Sequence, residues 1–282
     1  MTELRRRMDE DMIVRGMADR TRETYLAVVT GLAKHYHRSP DQISDEEVQA
    51  YLLHLIRDRH RSWSTCNITV HGLRFLYHTT LKRDHTTFHI PSARQPGRLP
   101  ALLSRQEVQQ LIAHATNAKH RTMLLTTYAA GLRLNEVLHL RVPDIDSARM
   151  TIRVEQGKGG QDRYTILSAT LLEALRSYWR ARRPTTWLFP GRGDRPMDPS
   201  ALQRAYGLAK RGAGLTKPGG IHALRHAFAT HLLEAGVDLH TIQRLLGHKS
   251  IATTTRYWHL THASLTTQAA RLDLLTDVPS PG

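Results

Sequence analysis

The stretch GGIHALRHAFATHLLEAG, residues 219–236, sets His222, Arg225 and His226 at the start of a helical pattern. At about 100° per residue its apolar side chains Leu224, Phe228, Leu232 and Ala235 fall on one stripe, and the two histidines and the arginine fall on the opposite flank. Gly236, just past the last apolar residue, is a helix stop. The spacing predicts an amphipathic helix over 221–235 with a cationic polar flank.

Three readings of that flank compete. His222 and His226 stand i, i+4, as in a zinc-hydrolase helix, but that helix needs a glutamate beside the first histidine, and here the neighbour is Ala223. A guanidinium on Arg225 would also repel a divalent cation, so no metal is expected. Ordinary surface polarity accounts for one histidine taken alone. An anion accounts for all three, because a helix start offers unpaired backbone N–H groups and the positive end of the dipole, and arginine adds a planar fork that matches phosphate oxygens.

The rest of the chain points to a polyanion. It has 282 residues and a formal net charge of +15. Up to Gly97 there are 15 Lys/Arg against 12 Asp/Glu, and from Arg98 onward 25 against 13, so the second part carries the excess. That favours nucleic acid over a membrane surface. The single cysteine, Cys66, excludes an internal disulfide framework and fits a reducing compartment. There is no run of 18 apolar residues, and the N-terminus MTELRRRMDEDM is charged where a signal peptide needs an apolar stretch. A soluble cytoplasmic protein is expected.

PSARQPGRLP, residues 91–100, holds three prolines and a glycine between helical patterns, as a linker does. Ahead of it, apolar periodicity predicts helices over 20–37, 44–57 and 62–80, a small bundle occupying residues 1–90. Behind it, in 101–282, Ser104 with Glu107 reads as a capping box. Helices follow near 120–130, at NEVLHL, and over 169–182, 199–211, 221–235, 239–246, 251–259 and 264–275. The segment MTIRVEQGKGGQDRYTIL alternates around a glycine-rich turn, predicting a hairpin with strands near 150–154 and 163–167. The fold class is mainly α with a small antiparallel β element.

Several segments offer further phosphate chemistry. TYAAGLRLNEVLHLRVPDID, residues 127–146, puts Arg133 just past a glycine, on a turn from which a long cation can point away from the core. GKGGQDR puts Lys158 at the hairpin tip, LLGHKS puts His248 after a glycine stop, and TTTRYWHL puts Tyr257 ahead of Trp258. In this order and spacing the five segments resemble the tyrosine recombinases, the phage integrase family, over nearly the whole chain. The N-terminal part looks like that family's core-binding domain and the rest like its mixed α/β catalytic domain. The chain is most similar to the compact Xer-type members, without an evident arm-binding domain. Gln161 stands where many members have a second lysine, and none of the six matched catalytic positions is substituted.

The resemblance implies cleavage and rejoining of double-stranded DNA at recombination sites through a 3′-phosphotyrosine. Tyr257 would attack the scissile phosphate and expel a 5′-hydroxyl; Arg133 and Arg225 would clamp the non-bridging oxygens of the pentavalent transition state. Lys158 would protonate the leaving oxygen, His222 would accept the proton of Tyr257, and His248 would hydrogen-bond the phosphate. His226 would have a structural part and Glu136 would buttress the Arg133 loop. No metal and no nucleotide cofactor is implied, since arginines supply the charge and the tyrosyl link conserves the bond energy. Four protomers would exchange strands through a Holliday junction, with or without accessory proteins. The last helix could dock on a neighbouring protomer or pack on its own domain. A DNA-binding relative that has lost catalysis, and a type IB topoisomerase-like enzyme, are the alternatives.

Overall fold

The computed structural model describes residues 2–84, 101–155, 162–193 and 195–247. It divides into two compact units, Met1–Arg98 and Leu99–Gly282.

The first unit is helical: α1 (Glu3–Val14), α2 (Asp19–Tyr36), α3 (Asp45–Arg57) and α4 (Trp63–Arg74), the last widening into a π-helical turn over Phe75–Thr80. Helix α1 was not expected from the sequence. It forms because Met8 and Met12, one turn apart, are fully buried against Leu32, Leu73 and Leu76, while Arg6 pairs with Glu3 and Glu10 on the outer face. Ser44 and Glu47 close a capping box at the start of α3, with Ser44 N–H donating to Oε2 at 3.0 Å and Glu47 N–H to Oγ at 3.3 Å. At the far end of the bundle Tyr77 donates its hydroxyl to the Pro40 carbonyl at 2.9 Å, which satisfies the polar end of an otherwise apolar residue.

In the second unit the elements are α5 (Arg105–Ala113), α6 (Ala118–Ala129), α7 (Leu134–Leu138), β1 (Ile145–Asp146), β2 (Thr151–Val154), β3 (Arg163–Ile166), α8 (Ala169–Arg182), α9 (Pro199–Gly212), α10 (His222–Glu234) and α11 (Leu239–Leu246). The Ser104–Glu107 capping box is present, with both bonds made, at 2.7 and 3.2 Å. The strands form an antiparallel sheet in the order β1-β2-β3, in which Ile152 faces Thr165 and Val154 faces Arg163. Ile152, Val154 and Thr165 are buried on the inner face, and Arg153 and Tyr164 alternate outward. The two-residue β1 is too short for its periodicity to be read in sequence. The hairpin tip and the helices expected over 251–259 and 264–275 lie outside the described residues.

Helix α10 is not amphipathic: Leu224, Arg225, Ala227, Phe228, Ala229, Thr230, His231 and Leu233 are all buried, which wraps the helix almost completely. Arg225 is therefore inside the protein rather than on a solvated flank, and Ala235, assigned to the apolar stripe, is exposed. Its neighbours explain the change. Tyr128 of α6 hydrogen-bonds His231 at 2.9 Å, Arg105 of α5 donates to the His231 carbonyl at 3.2 Å, and α11 covers a further side.

Candidate active site

The site starts at Gly131. It ends α6 with φ +62°, and a Cβ there would lie 2.4 Å from Cδ1 of Phe228, so a bare backbone is required for the chain to pass between α6 and α10. The next turn opens α7, and Glu136 reaches back to accept the Arg133 backbone N–H at 2.7 Å. That bond fixes the Arg133 side chain near the carboxylate, with Nη1 2.7 Å from Oε1. Arg133 thus points along its own loop rather than away from the core, and its side chain is 23% exposed.

Two other guanidiniums converge on the same carboxylate. Arg225 of α10 has Nη1 3.6 Å from Glu136 Oε2, and Arg163 of β3 donates to both oxygens at 2.8 and 2.7 Å. Burial by itself would raise the carboxyl pKa, but the hydrogen bonds and charge of Arg163, the Arg133 N–H and the charge of Arg225 outweigh it and hold Glu136 at about 2. At neutral pH the cluster is three cations around one anion, a surplus that favours an anionic ligand.

The same three arginines secure the end of α11. Arg163 Nε donates to the Leu245 carbonyl at 2.9 Å, Arg225 Nη2 to Leu246 at 2.6 Å, and Arg133 Nη2 approaches the Gly247 carbonyl at 3.4 Å. These carbonyls have no partner within the helix, and cations at its negative end are favoured. Arg225 Nη1 also donates to Gly131 at 2.7 Å, which fastens α10 to the loop bearing Arg133. Gly247, in the left-handed region at φ +64°, leaves 2.7 Å between a would-be Cβ and Arg163 Cδ.

His222 stands at the first position of α10 and is exposed. The protein packed around it, and then the positive charges of Arg225 and Arg133, push its pKa below the ordinary 6.5, with Glu136 opposing them. That shift favours the neutral ring, which can accept a proton. Of the residues predicted from the sequence, Arg133, Arg225 and His222 come together, as does Glu136. His226 is half-buried on α10. Lys158, His248 and Tyr257 lie outside the described residues. Arg163 was missed as a site residue; its signal was a charged side chain on the core-facing parity of a strand.

Residues 101–264 match the model of the phage integrase family, and residues 4–87 match that of the phage integrase N-terminal SAM-like domain. An integrase/recombinase from Sinorhizobium fredii is 43% identical over 284 residues, covering 100% of this chain and 92% of its own length. The tyrosine recombinase XerD of Oceanobacillus iheyensis is 30% identical, covering 90% of this chain and 92% of its own length. Among solved structures, the XerH site-specific recombinase in a post-cleavage complex with its palindromic difH substrate superposes with a TM-score of 0.73 at 23% identity. That alignment covers 91% of this chain and 81% of XerH, a likeness of fold.

Proposed function

The chain belongs to the phage integrase family and is a site-specific DNA recombinase of the tyrosine type; from that premise we propose that Tyr257 is its nucleophile and that Arg133 and Arg225 form its phosphate clamp. The observation that carries the reading is the convergence of those two guanidiniums from α10 and the α7 loop, 92 positions apart in sequence, around Glu136. Two forks placed on the non-bridging oxygens would stabilise the charge that develops there as the phenolic oxygen bonds to phosphorus and the 5′-oxygen departs.

The remaining assignments follow the family pattern. Neutral His222 accepts the phenolic proton, Lys158 delivers one to the 5′-oxygen, and His248 donates a hydrogen bond to the phosphate. The phosphotyrosine retains the energy of the broken diester, so attack by a 5′-hydroxyl from a second duplex completes an exchange without metal or nucleotide. Four copies on two sites would carry out both exchanges, by way of a Holliday junction. Residues 1–90 serve as the core-binding domain, 91–100 as linker and 101–282 as the catalytic domain. The exposed run Arg57, Arg59, His60, Arg61 and Trp63 between α3 and α4 supports a DNA contact in the first of these. Among the described residues no helix is long and apolar enough to cross a membrane; we place the protein in the cytoplasm, where its DNA is.

The test is a nicked suicide duplex drawn from the flanks of the encoding locus. The wild-type chain should become covalently attached to a 3′ end, while Tyr257→Phe binds the same duplex without forming the adduct. An adduct that survives Tyr257→Phe assigns the nucleophile elsewhere.

A further inference from the structure

Arg163 occupies a place that strand patterning reserves for an apolar residue. It lies opposite Val154 and on the face of buried Thr165, and its side chain is 10% exposed. A cation there needs an anion and hydrogen-bond acceptors, because desolvation without them is strongly unfavourable. It has both: Glu136 at two oxygens and the Leu245 carbonyl at Nε. Both arms of its fork and its Nε are engaged by these groups, and it is not one of the six positions matched to the family's catalytic set, so it is not assigned to the phosphate clamp.

Its effect on the clamp follows from sharing a carboxylate. Glu136 Oε1 receives Arg133 and Arg163, and Oε2 receives Arg163 with Arg225 at the longer 3.6 Å. Without Arg163, the whole charge of a buried carboxylate would fall on the two remaining guanidiniums. Arg133, already 2.7 Å from Oε1, would be held there more firmly, and Arg225 would be drawn in from 3.6 Å; both pairings compete directly with a phosphate for the same N–H groups. The end of α11 would also lose its Leu245 tie. Resting on the recombinase reading above, we propose that Arg163 is a positioning residue for strand cleavage, which neutralises Glu136 so that Arg133 and Arg225 stay directed at the DNA phosphate.

The distinguishing feature of this role is that it acts through Glu136, and a double-mutant cycle reads that directly. With the full chain and the nicked duplex, Arg163→Met should slow single-turnover adduct formation by about tenfold or more, with duplex affinity little changed. Adding Glu136→Gln, which removes the competing charge, should restore part of the loss and make the double variant faster than Arg163→Met alone. Arg163→Lys keeps the charge and protects the fold but cannot cover both oxygens; it should show a smaller defect, again relieved by Glu136→Gln. Thermal melting of each variant separates instability from slowed chemistry. Wild-type rates in both Arg163 variants, or a double variant as slow as the product of the two single losses, overturn the proposal. Absence of any adduct with the wild-type chain overturns instead the recombinase assignment on which it rests.

Discussion

Arg225 combines two demands that usually exclude one another, being 4% exposed and yet assigned to bind a substrate phosphate. Its bonds to Gly131 and Leu246 fix the plane of the guanidinium before DNA arrives, so little reorganisation remains at the transition state. Arg225→Lys retains the charge but not the fork, and it should slow adduct formation by about 10²–10³-fold while duplex binding persists. The neighbouring His222 makes a signed prediction. Its pKa is held below the ordinary 6.5, so the acid limb of the cleavage rate should lie below that value. Glu136→Gln removes the one influence that raises the His222 pKa and should move the limb further down. A single-turnover pH profile checks both, and a limb at or above 6.5 takes His222 out of the proton-accepting role. That Arg133, His222 and Arg225 come together was legible in the sequence because the segments that hold them are local and ordered. Arg163 was not, since its meaning lies in Glu136, 27 positions earlier and on a different element.

At the scale of elements, local signals survived and long-range ones did not. Capping boxes at Ser44 and Ser104 and the glycine stops at Gly131 and Gly236 mark helix ends through bonds or backbone angles spanning only a few residues, which the sequence displays directly. Helix α10 was misread because a stripe pattern supposes one buried face, whereas α5, α6 and α11 bury it from several sides and Arg225 finds its partners in carbonyls of other elements. Helix α1 escaped notice because only Met8 and Met12 show its inner face among many charges. The junction of α6, α10 and α11 is the most sensitive point. In Gly131→Ala the new methyl would meet the Phe228 ring at 2.4 Å and Leu246 at 3.2 Å, at a backbone angle that L-residues resist. A loss on the order of 2–4 kcal/mol is expected, lowering the melting temperature by roughly 10 °C. Because the Gly131 carbonyl accepts from Arg225, adduct formation should fall even at temperatures where the variant remains folded. Calorimetry alongside the cleavage assay checks the pair of effects.

For the whole molecule the governing quantity is charge and its division along the chain. The net +15 is concentrated after residue 97, the part that holds the proposed phosphate clamp, while the earlier part is nearly balanced. Composition shows this excess without any motif, but not which cations meet DNA, because many arginines pair with groups of the protein itself. Arg225 is buried and Arg163 nearly so, and Arg22, Arg38 and Arg153 pair with carboxylates. The exposed Arg59 and Arg61, on the turn that leads to Trp63, contrast with these. If the first unit grips the duplex through this turn, each arginine at a phosphate contributes about −0.9 to the slope of log affinity against log salt. Replacing both by glutamine should then flatten the slope by about 2 and weaken binding at low salt. The single-turnover cleavage rate at saturating protein should be unchanged, since neither residue takes part in the clamp. Anisotropy titrations across a salt series decide the matter: an unaltered slope removes this turn from the DNA and leaves the surplus charge of the second unit to account for the affinity.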